Sequence, residues 1–178
     1  MKYLLYVLIL MSLSVTAQSK YITKTGVVQF EASVPSFEEV AAKNNSVTAI
    51  INVETGEFAA LALVKAFRFK NALMEEHFNE NYAESDLYPK ATFKGSIDGF
   101  SVHSDKSKYQ ITGELNFHGV SKTINNVNIT SVKKNDTIIL KGTFTVLASD
   151  FNIKIPKIVS NKIAEEIEVN FSFELLKR

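Results

Sequence analysis

Hydrophobic and polar residues alternate along most of this chain. Near the start, Val28, Phe30 and Ala32 alternate with Val27, Gln29 and Glu31. A period of two puts successive side chains on opposite faces of a strand, so residues 21–32 read as a first strand. The runs 47–53 and 58–69 follow as a hairpin about the turn signal Glu54-Thr55-Gly56-Glu57. Around 60–64 the second run is apolar on both sides, which predicts either two covered faces or a bend. Ala91, Phe93, Gly95 and Ile97 share one side of the next strand, and Ile111, Gly113, Leu115 and Phe117 share a side of the one after it. Residues 121–132 carry Ile124, Val127 and Ile129. Past a turn at 133–136, residues 137–148 place Ile138, Leu140, Phe144 and Val146 together. The last run sets Ile163, Ile167, Val169, Phe171, Phe173 and Leu175 against Glu166, Glu168, Asn170, Ser172 and Glu174. About eight strands at meander spacing predict an all-β fold, an antiparallel barrel or sandwich. Eight strands can close around one small ligand.

The period changes in two places. Between 71 and 82, Leu73, Met74, His77, Phe78 and Tyr82 recur at three- and four-residue spacing, opposite Glu75, Glu76, Asn79 and Glu80. That is one face of a short helix. Pro89 then biases Tyr88 to extended angles and leads into the strand at Ala91. Earlier, Pro35 interrupts the first strand, and Ser36 with Glu39 fits a capping box that predicts helical turns over 37–43.

Residues 1–17 are read as a signal peptide, leaving 18–178 as one domain. Lys2 supplies the positive end, residues 3–15 an apolar run, and Val15-Thr16-Ala17 the small residues before a cut. The protein is therefore expected to be exported, periplasmic or secreted, with no further membrane span and, lacking a cysteine after the run, no lipid anchor. Cysteine is absent from the whole chain. The core rather than disulfides must hold it, and thiol chemistry is excluded. Without Lys2, nineteen basic residues balance nineteen acidic ones, so a nucleic-acid partner, which calls for a basic footprint, is not expected. Thirteen phenylalanines with no tryptophan, recurring at strand positions, indicate a greasy interior.

Catalytic and metal signatures are thin. The three histidines, His77, His103 and His118, have no metal-ligand spacing, and no hydrolase, phosphate-loop or dinucleotide motif occurs. Asp150, Glu165 and Glu166 are the nearest to a carboxylate cluster, but Glu165 and Glu166 fall on opposite faces of a strand. No cofactor is expected. An enzyme working through Tyr82, His77 or His118 stays open as the lesser alternative. Asn44, Asn128 and Asn135 each begin an N-x-S/T triplet.

Several segments together resemble the YceI-like family. Met74, His77 and Phe78 followed by Tyr88-Pro89-Lys90-Ala91-Thr92-Phe93 are similar to its M-x-x-H-F … Y-P-x-A-T-F pattern. Gly113 to Lys122 is similar to its G-x-L-x-[IF]-H-G-V-[ST]-[KR] strand and turn. Asp150-Phe151-Asn152-Ile153 stands where the family has D-[FY]-G-[IV], with Asn152 in place of glycine. Asn tolerates unusual backbone angles better than most residues. The resemblance implies an eight-stranded, lipocalin-like antiparallel barrel beside a helical crossing near 71–82. It also implies an exported carrier for a long apolar molecule, such as a polyisoprenoid, isoprenoid quinone or fatty-acyl chain. The expected lining is Phe67, Phe69, Leu73, Met74, Phe78, Phe93, Leu115, Phe117 and Phe171. A hydrophobic small molecule is the expected partner, with a homodimer left open. The other alternative is an interaction module whose barrel is filled by its own side chains.

Overall fold

The computed structural model describes residues 20–35, 37–104 and 107–178. The expected leader lies outside these residues, as does Ser36. Among the described residues there are nine strands: β1 (Lys20–Ser33), β2 (Ala41–Asn52), β3 (Glu57–Leu63), β4 (Arg68–Phe69), β5 (Lys90–Ile97), β6 (Lys108–Phe117), β7 (Val120–Lys134), β8 (Thr137–Leu147) and β9 (Ile163–Lys177). A helix, α1 (Ala72–His77), runs into a π-helical turn at Phe78–Tyr82.

The hydrogen-bonded order is β1-β9-β8-β7-β6-β5-β3-β2, and β1 also pairs with β2. That last pairing closes the sheet, so the fold is a barrel and not a sandwich. Every pairing is antiparallel. Eight long strands form the ring, as expected; β4 only lengthens the edge of β2, with Phe69 opposite Ala42. The inward faces match the alternation read from the chain. One step of three, from Ile124 to Val127, is explained by a bulge. Asn126 takes a left-handed φ of 51° there, and its N–H donates to Thr112 Oγ1 at 3.0 Å. The extra residue keeps both neighbours facing inward.

The two ends of the barrel differ. The end that holds Lys20, Arg178 and the short turn after β7 is packed by Tyr21, Ile51, Ile97, Tyr109, Ile138 and Leu175, all buried. At the other end stand the β1–β2 loop, the α1 crossing, the two-residue β6–β7 turn and the long β8–β9 connection. Around the ring, the α1 crossing and the β8–β9 connection are diametrically opposed.

Two local expectations fail. Residues 37–43 are not helical: 37–40 connect, and Ala41 opens β2. Ala42 is buried between Phe30 and Phe69 on neighbouring strands, and Glu39 pairs with Lys70. Pairing that closes a barrel outweighs the one or two helical turns a cap can start. The strand expected over 58–69 ends at Leu63, where a 3₁₀ turn, Val64–Ala66, takes over. This is the bend foreseen at 60–64. Asn44, fully buried, fixes it by donating Nδ2–H to the Leu63 carbonyl at 3.0 Å, while its Oδ1 accepts from the Ser46 N–H and Oγ–H, each at 2.9 Å. The Asn44 triplet is thus an internal strut rather than a glycan acceptor.

Replacing Asn44 by Leu strands the Leu63 carbonyl and should destabilise the protein by about 1–3 kcal/mol, read from urea unfolding. An unchanged midpoint would show that the bend does not need this strut.

Candidate functional site

A cavity of about 560 Å³ occupies the loosely packed half of the barrel. Its floor is the pair Phe58 and Phe173, whose ring centroids are 5.6 Å apart. Its walls are inward positions of the strands, among them Val28, Phe30, Ala60, Phe93, Leu115, Phe144, Val169 and Phe171. The lining includes few polar side chains: Glu38, His77, Tyr82 and Lys162 on the mouth segments, and Thr92 near the start of β5.

The width of this space depends on glycine. A Cβ on Gly142 would lie 2.5 Å from Phe171 Cζ, one on Gly113 2.5 Å from Phe93 Cζ, and one on Gly26 2.5 Å from Phe173 Cδ1. Each ring therefore occupies the place of a missing side chain on an adjacent strand. Rings held against the wall leave the centre empty. A side chain at Gly142 would press the Phe171 ring inward, because a packed wall does not yield by that much, and one at Gly113 would also meet the Lys94 carbonyl oxygen at 2.4 Å.

α1 is fixed to the mouth by its own chemistry. Asn71 caps it, accepting the Leu73 N–H at 2.9 Å. The Phe78 ring packs on Phe30, Phe67 and Phe69 at centroid distances of 5.3, 6.1 and 5.2 Å. The π-turn closes with the Ala83 N–H donating to Phe78 O at 2.8 Å. π-turns recur at functional positions of helices.

A second cluster ties three mouth segments together. His118 and Gly119 form the β6–β7 turn, with φ of 49° and 73°. Positive φ at both positions suits a tight hairpin between right-twisted strands. From this turn, His118 Nδ1–H donates to Phe151 O at 2.8 Å, and Nε2 meets Glu84 Oε2 at 2.7 Å. The Tyr88 ring stands edge-on to His118 at 4.6 Å and so near Gly119 that a Cβ there would lie 2.6 Å from it. Phe151 is buried against Phe117. Asn152 follows in the left-handed region, φ 59°, so the turn survives the replacement of glycine. Asp150 accepts from the Lys122 ammonium and from the Leu147 N–H. The lysine hydrogen bond, chiefly, lowers the Asp150 pKa from its ordinary value.

Of the nine lining candidates, Phe67, Phe69, Met74, Phe78, Phe93, Leu115, Phe117 and Phe171 border the cavity. Leu73 does not: it faces solvent, 57% exposed. Met74 and Phe78 form one column along α1, and Leu73 lies about 100° around the axis from Met74. Leu73 is left outside at the start of this short helix, whereas Met74, His77 and Phe78 of the same stripe border the cavity. Phe30, Phe58, Phe144 and Phe173 also line the cavity, and each was already in an inward frame of its strand. Ile153, Ile155 and Val159 line it too, from an irregular segment with no period to reveal them. His118 lies outside the lining, and His103 is exposed on the β5–β6 loop.

The YceI-like domain family matches residues 14–175, and the chain belongs to that family. Three solved structures share the fold. A polyisoprenoid binding domain from Saccharophagus degradans, implicated in plant cell wall breakdown, is 16% identical, with a TM-score of 0.75 over 90% of this chain and 99% of that one. BcnA from Burkholderia cenocepacia is 18% identical, with a TM-score of 0.70 over 84% and 95%. The YCEI protein of Campylobacter jejuni is 17% identical, with a TM-score of 0.60 over 82% and 88%. No curated protein matches the chain.

Two outcomes follow. Gly142→Ala should push Phe171 into the cavity, weakening uptake of a fluorescent C18 fatty acid, and Gly142→Ala/Phe171→Leu should restore it; equal uptake by all three proteins would count against this account of the width. Because the Asp150 pKa is lowered, its stabilisation is complete above the ordinary carboxylate range, near pH 4, and is lost as pH falls through the lowered value. Asp150→Asn should therefore destabilise the protein at pH 7 and show a smaller difference from wild type in acid, read from melting temperatures across pH.

Proposed function

We propose that the protein is an exported, non-catalytic carrier that holds one long apolar chain in the barrel and keeps its polar end at the mouth. The observation that carries this reading is the cavity: phenylalanine and aliphatic walls, with polar side chains gathered toward one end. Burying a hydrocarbon chain there stabilises it by about 25 cal/mol per Å² of apolar surface. A filled barrel would leave no such space. The name of the Saccharophagus degradans domain, a polyisoprenoid binding domain of the same fold, supports an isoprenoid among the ligands. The leader-like residues 1–17 support export. The groups weighed for catalysis are separated: His118 is engaged with Glu84 and Phe151 away from the cavity, whereas His77 and Tyr82 stand at its mouth.

The volume limits the ligand. A water-sized group takes about 30 Å³ in a packed liquid, so the cavity accommodates roughly eighteen carbon-sized groups, close to a C18 acyl chain or to between three and four isoprene units. Longer polyprenyl chains must leave a tail beyond the mouth.

Competition titrations with acyl and isoprenoid alcohols of increasing length test this. Affinity should rise with each added carbon up to roughly eighteen to twenty and then level off. Failure of every length to bind would overturn the carrier reading.

A further inference from the structure

Residues 152–162, at the mouth and opposite α1, have two different sides. Ile153, Ile155 and Val159 face the cavity. Outward stands Ile158, 86% exposed, flanked by the exposed side chains of Lys154 and Lys157. Lys162 completes three positive charges, and no Asp or Glu falls between Asp150 and Glu165. None of the three lysines forms an ion pair among the described residues. Within the segment the backbone closes short turns on itself, with Val159 N–H donating to Pro156 O at 3.0 Å and Lys162 N–H to Val159 O at 2.8 Å. Phe37, on the neighbouring β1–β2 loop, is a second half-exposed apolar side chain. Across the mouth the charge reverses, with Glu76 and Glu80 exposed on α1 and the π-turn.

We propose that residues 152–162 are a docking surface for an anionic lipid bilayer, which brings the cavity mouth against the membrane. An apolar side chain set among lysines has the chemistry of an interfacial anchor: the isoleucine enters the acyl boundary while the ammonium groups meet anionic headgroups. The three lysines, without an ion pair among the described residues, set the approach, so that the protein rests on the rim formed by residues 152–162. A carrier docked in this way receives its chain from the bilayer without passing it through water. That last step rests on the carrier reading; the docking itself does not.

Flotation with vesicles of 30% phosphatidylglycerol in phosphatidylcholine tests the docking on the mature chain without added ligand. The protein should float with these vesicles, remain at the bottom with pure phosphatidylcholine, and be released by 0.5 M salt, as expected for screened surface charge. Ile158→Asp and Lys154→Glu/Lys157→Glu should each reduce partitioning at least tenfold, with circular dichroism and melting temperature unchanged. A wild-type protein that stays at the bottom with anionic vesicles overturns the proposal, as do variants that float like wild type, which would place the contact elsewhere. Uptake of a fluorescent C18 chain delivered from cyclodextrin separates the two readings. Flotation without uptake supports docking while removing the carrier function; uptake without flotation does the reverse.

Discussion

The rings of Phe93, Phe171 and Phe173 lie against glycines of adjacent strands, and this contact governs how much of the barrel stays empty. A closed sheet of eight strands has an interior that inward side chains can fill, or nearly fill. At one end they do fill it, with tyrosine and β-branched residues. At the other end the side chains are as large, but Gly113 and Gly142 draw the rings sideways into the wall. Large inward side chains therefore build a packed core at one level and leave a cavity at another. The difference lies in what stands on the neighbouring strand.

The residues that carry the family resemblance mostly serve a second task. Tyr88, His118, Gly119, Asp150 and Phe151 meet beside the mouth, where they fasten the α1 crossing, the β6–β7 turn and the start of the β8–β9 connection to one another. Such a cluster holds the rim in shape, and of its members Phe151 also lines the cavity. The segment that follows, 152–162, gains no comparable tie from it. The rim is therefore firm on the side of His118 and held more by apolar contact on the side of Ile153 and Ile155.

Much of this was legible from residue order. Alternation located the long strands, but the bulge between Ile124 and Val127 became visible only in the strand register. The phenylalanines of the wall could be chosen because a strand shows only two faces. The failures share a cause. The cap signal at Ser36 and Glu39 was local, whereas the fate of Ala42 was set by β1 and β4. Leu73 sat in a helical stripe of which Met74, His77, Phe78 and Tyr82 line the cavity while Leu73 itself faces solvent. Ile153, Ile155 and Val159 had no period, since an irregular segment is shaped by what it covers.

Barrel closure also has a kinetic side. β1 must pair with both β2 and β9, and β9 is the last strand of the chain. Before its residues are available, the sheet has two unsatisfied edges, β1 and β8. Pairing between strands so far apart in sequence is slow, and bare edges recruit other chains while they wait. The chain therefore cannot complete its fold segment by segment as it emerges. It stays an open ribbon until its final strand arrives, the state in which a chaperone has the most to protect.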